Sequence, residues 1–348
     1  MGKKRIMWSC ASLLIAVLSV WLITLQSRSF SVEILLEQIE QMNKFWLCMA
    51  FVSTFGFIWF EGYALVRIVR RLGYASSGLQ GTLYGAADVY FSAITPSASG
   101  GQPASAYFMM RDGMSGPAVT TALLLNLIMY SLALLTLGIP CLIFGEVVFV
   151  QMSWLSKLLI GIGGVVLVAL TVIFYLLLFR AELLYGICNF FLKQLERVRL
   201  VRHGERRREK LNHTIHDYRL CAQMIAKNKG MLAEAFGLNV LQRLSQMGVS
   251  FMVFMALGRG LKQAVTAMVV QCFVALGSNS VPIPGGMGAA DYLMLDGLKA
   301  LVGSKADVNI QLLCRGITFY SSVLLGGIIV LVGYFVGKNK KNREKALC

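Results

Sequence analysis

The sequence has few charged residues for its length, since Asp, Glu, Lys and Arg make up 14% of 348 residues. Soluble domains carry about 25% charged and about 45–50% apolar residues. Here 57% of the residues are hydrophobic. This composition excludes a water-soluble globular domain and predicts an all-α polytopic membrane protein.

The sequence also lacks patterns typical of disulfides and metal sites. Its eight cysteines are scattered singly without a C-x-x-C pair, and they fit small core residues. His213 and His216 form an H-x-x-H, but no carboxylate or cysteine completes a ligand set. A solvated surface helix explains these histidines better, and we expect no metal.

Motifs for nucleophilic catalysis and nucleotide binding are missing as well. We find no Ser, Cys or His triad pattern, no Walker loop and no dinucleotide fingerprint. We therefore assign no catalytic residue and expect no cofactor. If the protein moves a substrate uphill, an ion gradient or the membrane potential must supply the energy.

What the sequence does contain is long apolar segments. They predict six transmembrane helices, at 6–25, 45–66, 116–144, 155–179, 231–257 and 310–336. Residues 32–43 fit a short helix on the membrane surface. A basic amphipathic segment at 180–230 is predicted to lie on the cytoplasmic surface rather than to form a domain. The whole chain, 1–348, is thus one integral membrane domain.

Two Pro/Gly breaks interrupt apolar sequence, SVPIPGGMGAAD at 280–291 and TPSASGGQP at 95–103. No helix can run through either break, and the flanks fall short of the ~20 residues that cross a bilayer. Two re-entrant helical hairpins, at 79–110 and 264–303, explain them best. Two ordinary loops are the alternative. Paired breaks of this kind indicate a binding site at membrane depth.

The distribution of Lys and Arg predicts orientation. On this layout 24 of the 33 basic residues lie on one side, which places both termini in the cytoplasm. The net charge of +16 is then a topology signal plus attraction to anionic headgroups, and nucleic acid is excluded as a partner. The halves 1–144 and 145–348 have opposite orientation, which is the inverted-repeat arrangement of transporters.

Four charged residues, Glu61, Asp88, Arg243 and Asp291, fall within apolar or re-entrant sequence. Charges at membrane depth usually face a cavity or one another. Glu61 and Arg243 occupy similar places in the two halves, and a structural ion pair between them is the alternative to a site. Asp88 and Asp291 are candidates for binding a cationic headgroup such as a lysyl ammonium.

Further candidates lie near the breaks. Arg111 and Arg243 are candidates for holding a lipid phosphate. Gln102 and Asn279 either bind a headgroup or satisfy freed backbone groups. Asn126 and Tyr130 are more typical of polar residues in helix packing.

The two motifs ITPSASGGQPASAYFMMRDG (94–113) and PIPGGMGAAD (282–291) resemble those of the lysylphosphatidylglycerol synthase transmembrane family. This is the flippase-like region of the multiple peptide resistance factor. The matching positions are Gly100, Gly101, Arg111, Gly113, Pro284, Gly285, Gly286 and Gly288. Where relatives usually have Glu, this chain has Asp291, which carries the carboxylate on a shorter arm.

The resemblance implies a flippase or scramblase in a bacterial plasma membrane. It would move lysylphosphatidylglycerol or a related lipid, anionic or lysylated, and contribute to cationic peptide resistance. Full-length relatives have a soluble synthase domain, but only about a dozen residues follow the last predicted span here. We therefore do not expect lysyltransferase activity from this chain alone, although the family label implies it. The alternative is a membrane component that presents lipid to a separate aminoacyl- or glycosyltransferase. A second copy of the chain is another candidate partner.

Overall fold

The computed structural model describes residues 39–95, 98–197, 204–279, 281, 286, 288–302 and 307–347. Within these ranges the chain forms thirteen α-helices and one π-helical segment, and no strand occurs in them. The predicted all-α class is therefore confirmed. The predicted span 6–25, most of the surface helix 32–43, and Pro284 and Gly285 lie outside the described residues.

Four helices come from the first part of the chain: α1 (Lys44–Arg71), α2 (Gly78–Ile94), α3 (Gly101–Arg111) and α4 (Gly116–Phe144). A capping box starts α2, because the Ser77 hydroxyl accepts the Gln80 backbone N–H and the Gln80 side chain accepts the Ser77 backbone N–H. Pro117 lies in the first turn of α4, where a backbone N–H would have no partner within the helix, so that its absence costs no hydrogen bond. Local sequence thus marks the first residues of α2 and α4.

The middle of the chain adds α5 (Glu146–Gln151), α6 (Trp154–Phe179), α7 (Ala181–Arg197), α8 (Gly204–Ala226) and α9 (Lys229–Ala256). The predicted basic segment 180–230 corresponds to α7 and α8. Tyr218 of α8 is buried and donates to the Leu177 carbonyl at the end of α6, 2.8 Å away. An ion pair between Glu182 and Arg219 joins α7 to α8. These contacts attach the segment to the helix bundle.

The last part contains α10 (Leu261–Ser278), α11 (Ala289–Val302), α12 (Asp307–Arg315), the π-helical segment Gly316–Tyr320 and α13 (Ser321–Leu347). α10 ends at Ser278 and α11 begins at Ala289, so both described helices stop at the predicted second break. Gly286 (φ +61°) and Gly288 (φ +80°) adopt left-handed backbone conformations that glycine accommodates without strain.

Among the described residues, five stretches are long and apolar enough to cross a membrane: Lys44–Arg71, Gly116–Phe144, Trp154–Phe179, Leu261–Ser278 and Ile310–Val336. Four of them coincide with predicted spans. The fifth is α10, which the sequence predicts as one limb of a re-entrant hairpin. The predicted span 231–257 is helical but does not belong to this set, because polar residues such as Gln242 and Arg243 interrupt its apolar run.

Packing centres on α1 and α9, which share the most extensive helix–helix contact among the described elements. α2 packs closely on α1, since a Cβ at Gly62 would lie 1.8 Å from the Gly81 carbonyl oxygen. Small residues permit such backbone approach inside a membrane. One apolar cluster contains Met231 and Ala235 of α9, and another contains Met247 and the residues after it. Between the two clusters, α9 carries the polar residues that face the site.

Candidate functional site

A cavity of about 440 Å³ lies among α1, α2, α4, α6, α9, α10 and the π-helical segment. Both Pro/Gly breaks contribute to its wall, with Ala98 and Ser99 from the first and Asn279, Val281 and Gly286 from the second. The breaks that the sequence identifies therefore meet at one cavity. Of the predicted site residues, Glu61, Asp88, Gln102, Arg243, Asn279 and Gly286 line it.

Glu61 is a buried carboxylate in the cavity wall, 3% exposed. Its Oε1 accepts from Asn126 Nδ2 at 2.6 Å, and its Oε2 accepts from the Gln242 side-chain amide. Asn126 Oδ1 in turn accepts from Asn239 Nδ2 at 3.0 Å. A chain of amides from α4 and α9 thus supports the carboxylate of α1, and Asn126 does more than pack helices.

Arg243 is buried opposite, 3% exposed, with its guanidinium 4.0 Å above the Tyr130 ring centroid. Its Nη1 donates to Gln246 Oε1 at 2.6 Å, whereas its Nε is buried and has no hydrogen-bond partner within the described ranges. Arg243 and Glu61 interact electrostatically, but no ion pair joins these two described side chains. The predicted approach of their helices is confirmed, and the structure shows no direct ion pair between them.

Asp88 of α2 faces the cavity and accepts from Gln102 Nε2 at 3.2 Å. Gly101 allows this geometry, because a Cβ there would lie 2.1 Å from Asp88 Oδ1 and 2.7 Å from the Asp88 carbonyl oxygen. Gly100 closes the preceding turn by donating its N–H to Thr95 Oγ1 at 2.8 Å. The glycine pair therefore brings the start of α3 against the Asp88 carboxylate.

Arg111 does not line the cavity. Its Nη1 donates to the Gly333 carbonyl at 3.3 Å, and its Nε lies 3.6 Å from Asp112 Oδ1. The guanidinium also stacks 4.7 Å above the Phe108 ring centroid. The structure thus places Arg111 where it links α3 to α13, at a distance from the other predicted phosphate ligand.

Asp291 lies in the first turn of α11, as the sequence predicts. Its Oδ2 accepts from the Gly288 backbone N–H at 3.1 Å. Its Oδ1 accepts from Arg315 Nε at 2.8 Å and from Gln311 Nε2 at 3.2 Å. Asp291 is not part of the cavity wall, but Arg315 is. The carboxylate therefore acts on the cavity through this arginine.

Arg315 is the residue that sequence reasoning missed. It is 5% exposed, precedes the π-helical segment and stacks 4.7 Å from the Phe319 ring centroid. π-helical turns often mark functional sites because they redirect side chains. Arg315 is also the single charged residue in the predicted span 310–336. The criterion that selects Glu61 and Arg243 would have selected it too.

Asn279 and Tyr130 connect the second break to α4. Asn279 Nδ2 donates to the Tyr130 hydroxyl at 2.9 Å, and the same tyrosine ring lies beneath Arg243. Among the described residues, no group of three or more His, Cys, Asp or Glu side chains is arranged to hold a metal ion. The site therefore offers charged and amide groups for a polar ligand.

Comparison with known proteins identifies a family. The model described as "Lysylphosphatidylglycerol synthase TM region" matches residues 9–326. The curated proteins contain no match to the chain, and neither do the solved structures. The matched range includes every residue that lines the cavity.

Proposed function

Because the chain belongs to the lysylphosphatidylglycerol synthase transmembrane family, we propose that it moves a phospholipid between the leaflets of a bilayer, with lysylphosphatidylglycerol as the first candidate. The observation that carries this proposal is the composition of the cavity. Buried charged and amide side chains line one side, while Val166, Leu167 and Leu170 of α6 form an apolar wall. Ligand sites of this kind orient a polar group with a few side chains and enclose the rest in apolar surface.

The formal charges favour a lysylated headgroup. The cavity contains Glu61, Asp88, Arg243 and Arg315, and Asp291 is bound to Arg315 from behind. Three carboxylates against two guanidinium groups leave one formal negative charge. A lysylated phosphodiester headgroup, with two ammonium groups and one phosphate, carries one positive charge and would neutralise it. A phosphatidylglycerol headgroup would leave two formal negative charges in the cavity, so we expect it to bind there more weakly than the lysylated headgroup.

We further propose that α2–α3 and α10–α11 are re-entrant hairpins that enter a bacterial plasma membrane from opposite sides, with both termini in the cytoplasm. α2 and α3 have 17 and 11 residues, and each pair packs together across its break. Their non-helical backbone lies at the cavity, which is where such backbone is tolerated inside a bilayer. Alternating access would then expose the cavity to each leaflet in turn.

Cysteine labelling tests this topology. Ser99 and Gly288 are exposed, and a Cβ at Gly288 meets no atom within 4 Å. We expect a membrane-impermeant thiol reagent to label Ser99→Cys from the cytoplasmic side and Gly288→Cys from the outer side of intact cells and inverted vesicles. Labelling of both positions from one side would contradict the inverted arrangement.

Translocation is tested in liposomes that contain a fluorescent lysylated phospholipid, with an impermeant quencher outside. Without translocation the quencher reaches only the labelled lipid in the outer leaflet, which is about half of the total. With the wild-type protein we expect the quencher to reach a larger fraction of the labelled lipid. Leu170→Trp on α6 should suppress this, because Leu170 faces the cavity and the larger ring would fill it. Val168→Trp is the matched control, since Val168 is 49% exposed on the same helix and is not part of the wall.

Presentation of lipid to a separate aminoacyl- or glycosyltransferase is a second candidate. It is favoured by the exposed apolar residues Leu183, Ile187, Phe190, Leu220 and Met224 on α7 and α8, which would suit a docked enzyme. Wild-type protein that binds the lipid but gives no quenching beyond protein-free liposomes would support this role over translocation.

A further inference from the structure

Two buried arginines in the cavity keep an unused hydrogen-bond donor. Arg243 of α9 and Arg315 at the end of α12 are 3% and 5% exposed, and both line the cavity wall. Arg243 Nε and Arg315 Nη2 are fully buried and have no hydrogen-bond partner among the residues that the structure describes. Buried charged donors without a partner are rare in folded proteins, because each such group loses its water without compensation. They indicate that an acceptor belongs at this place.

Both guanidinium groups are held in fixed directions. Arg243 lies between the rings of Tyr130 and Phe57, at 4.0 and 5.3 Å from their centroids, and donates to Gln246. Arg315 is fixed by Asp291 through Nε and by the Phe319 ring. A guanidinium is a rigid planar set of donors that matches the oxygens of a phosphate or carboxylate. The two arginines are therefore preorganised for an anion.

The carboxylates in and behind the cavity wall already have other donors. Glu61 accepts from Asn126 and Gln242, Asp88 accepts from Gln102, and Asp291 accepts from Gly288, Gln311 and Arg315 Nε. A ligand anion would supply the acceptors that these two donors lack among the described residues. A tetrahedral phosphate offers several acceptor oxygens, so that two arginines from different helices can each bind one.

We propose that Arg243 and Arg315 form a binding subsite for the phosphodiester group of a phospholipid headgroup. This inference rests on the proposed function and defines which part of the substrate each side of the cavity holds. The arginines of α9 and α12 bind the phosphodiester, and Asp88 of α2 is left for the cationic end. Lipids that lack a phosphodiester are excluded as substrates.

The test uses the full chain purified in detergent and three soluble probes: glycerophosphoglycerol, which carries the phosphodiester without acyl chains, inorganic phosphate, and glycerol. Calorimetry should detect binding of glycerophosphoglycerol and none of glycerol. Arg243→Gln and Arg315→Gln should each weaken this binding about tenfold or more, since hydrogen bonds to charged groups are among the stronger ones. Arg67→Gln is the control, because Arg67 pairs with Glu234 outside the cavity.

A second variant guards against misfolding. Arg315→Lys retains the positive charge beside Asp291 but removes the planar set of donors, so we expect a similar loss with an unchanged thermal unfolding midpoint. Unchanged binding in all three arginine variants would overturn the subsite. Preference for inorganic phosphate over glycerophosphoglycerol would overturn the assignment to a headgroup.

The outcomes separate the subsite from translocation. Binding that depends on both arginines in a protein that moves no lipid would leave the subsite in place and refute the transport proposal. Lipid movement at the wild-type rate in Arg243→Gln and Arg315→Gln would refute the subsite and leave the transport proposal in place.

Discussion

At the first break Asp88 has the neutral partner Gln102 and faces the cavity, whereas at the second break Asp291 is bound to Arg315 and to the N-terminus of α11. The two breaks have similar sequences, each with a proline and a Gly-Gly pair near an acid. The acidic residues of the two breaks nevertheless have different interaction partners. In our proposal the first acid binds the cationic part of the ligand, and the second acid holds Arg315, which binds the anionic part.

This difference teaches that internal similarity of sequence does not imply similar chemistry in the two halves. The Asp291 carboxylate is paired with the Arg315 guanidinium, whereas the Asp88 carboxylate accepts a hydrogen bond from the neutral amide of Gln102. Opposite preferences at the two breaks suit a ligand with charges of both signs. A cavity with two identical breaks would hold only one sign of charge well.

The largest effect that we expect comes from removing the acid at each break. Asp291→Ala leaves the 6%-exposed Arg315 side chain without its ionic partner, and breaking such a buried pair costs about 3–5 kcal/mol of folding free energy. Asp88→Ala removes the acceptor of the neutral Gln102 amide, at a cost of about 1–3 kcal/mol. Thermal unfolding in detergent measures both. Equal destabilisation by the two variants would contradict the difference between the breaks.

A smaller effect is expected from the glycine at the start of α3. Gly101→Ala places a Cβ against Asp88, and overpacking of this kind costs about 1–3 kcal/mol. Gly116→Ala is the matched control, because Gly116 is also the first residue of its helix and a Cβ there meets no atom within 4 Å. An unchanged midpoint for Gly101→Ala would show that the close approach of α3 to Asp88 is not needed.

Much of the fold follows from the sequence, because apolar runs and Pro/Gly breaks act locally. The spans at 45–66, 116–144, 155–179 and 310–336 reappear as apolar helical stretches, and both breaks end helices where predicted. The number of membrane crossings does not follow in the same way. The 18 residues of α10 lie near the length at which a half-helix and a full span look alike.

The partners of the charged residues were harder to predict. The helices of Glu61 and Arg243 do pack together, but the two side chains bind other partners. The Glu61 carboxylate accepts hydrogen bonds from amides of α4 and α9, and the Arg243 guanidinium stacks on the Tyr130 ring. Asp291 lies on the predicted turn, yet its bond to Arg315 depends on how α12 and the π-helical segment pack against α11. Such choices between neighbours depend on tertiary packing, which one sequence does not encode in a readable pattern.

The central claim, that the cavity carries a phospholipid with a cationic headgroup, is tested most directly by Asp88→Asn in the liposome assay. The variant keeps the size of the side chain and removes its charge. We expect it to lose lysylated-lipid movement about tenfold or more while an anionic lipid is affected less, as the loss of a charge-assisted contact predicts. Glu182→Gln, at an exposed ion pair outside the cavity, should behave as the wild type. Equal movement of the lysylated lipid by wild type and Asp88→Asn, at matched protein levels, would contradict the account.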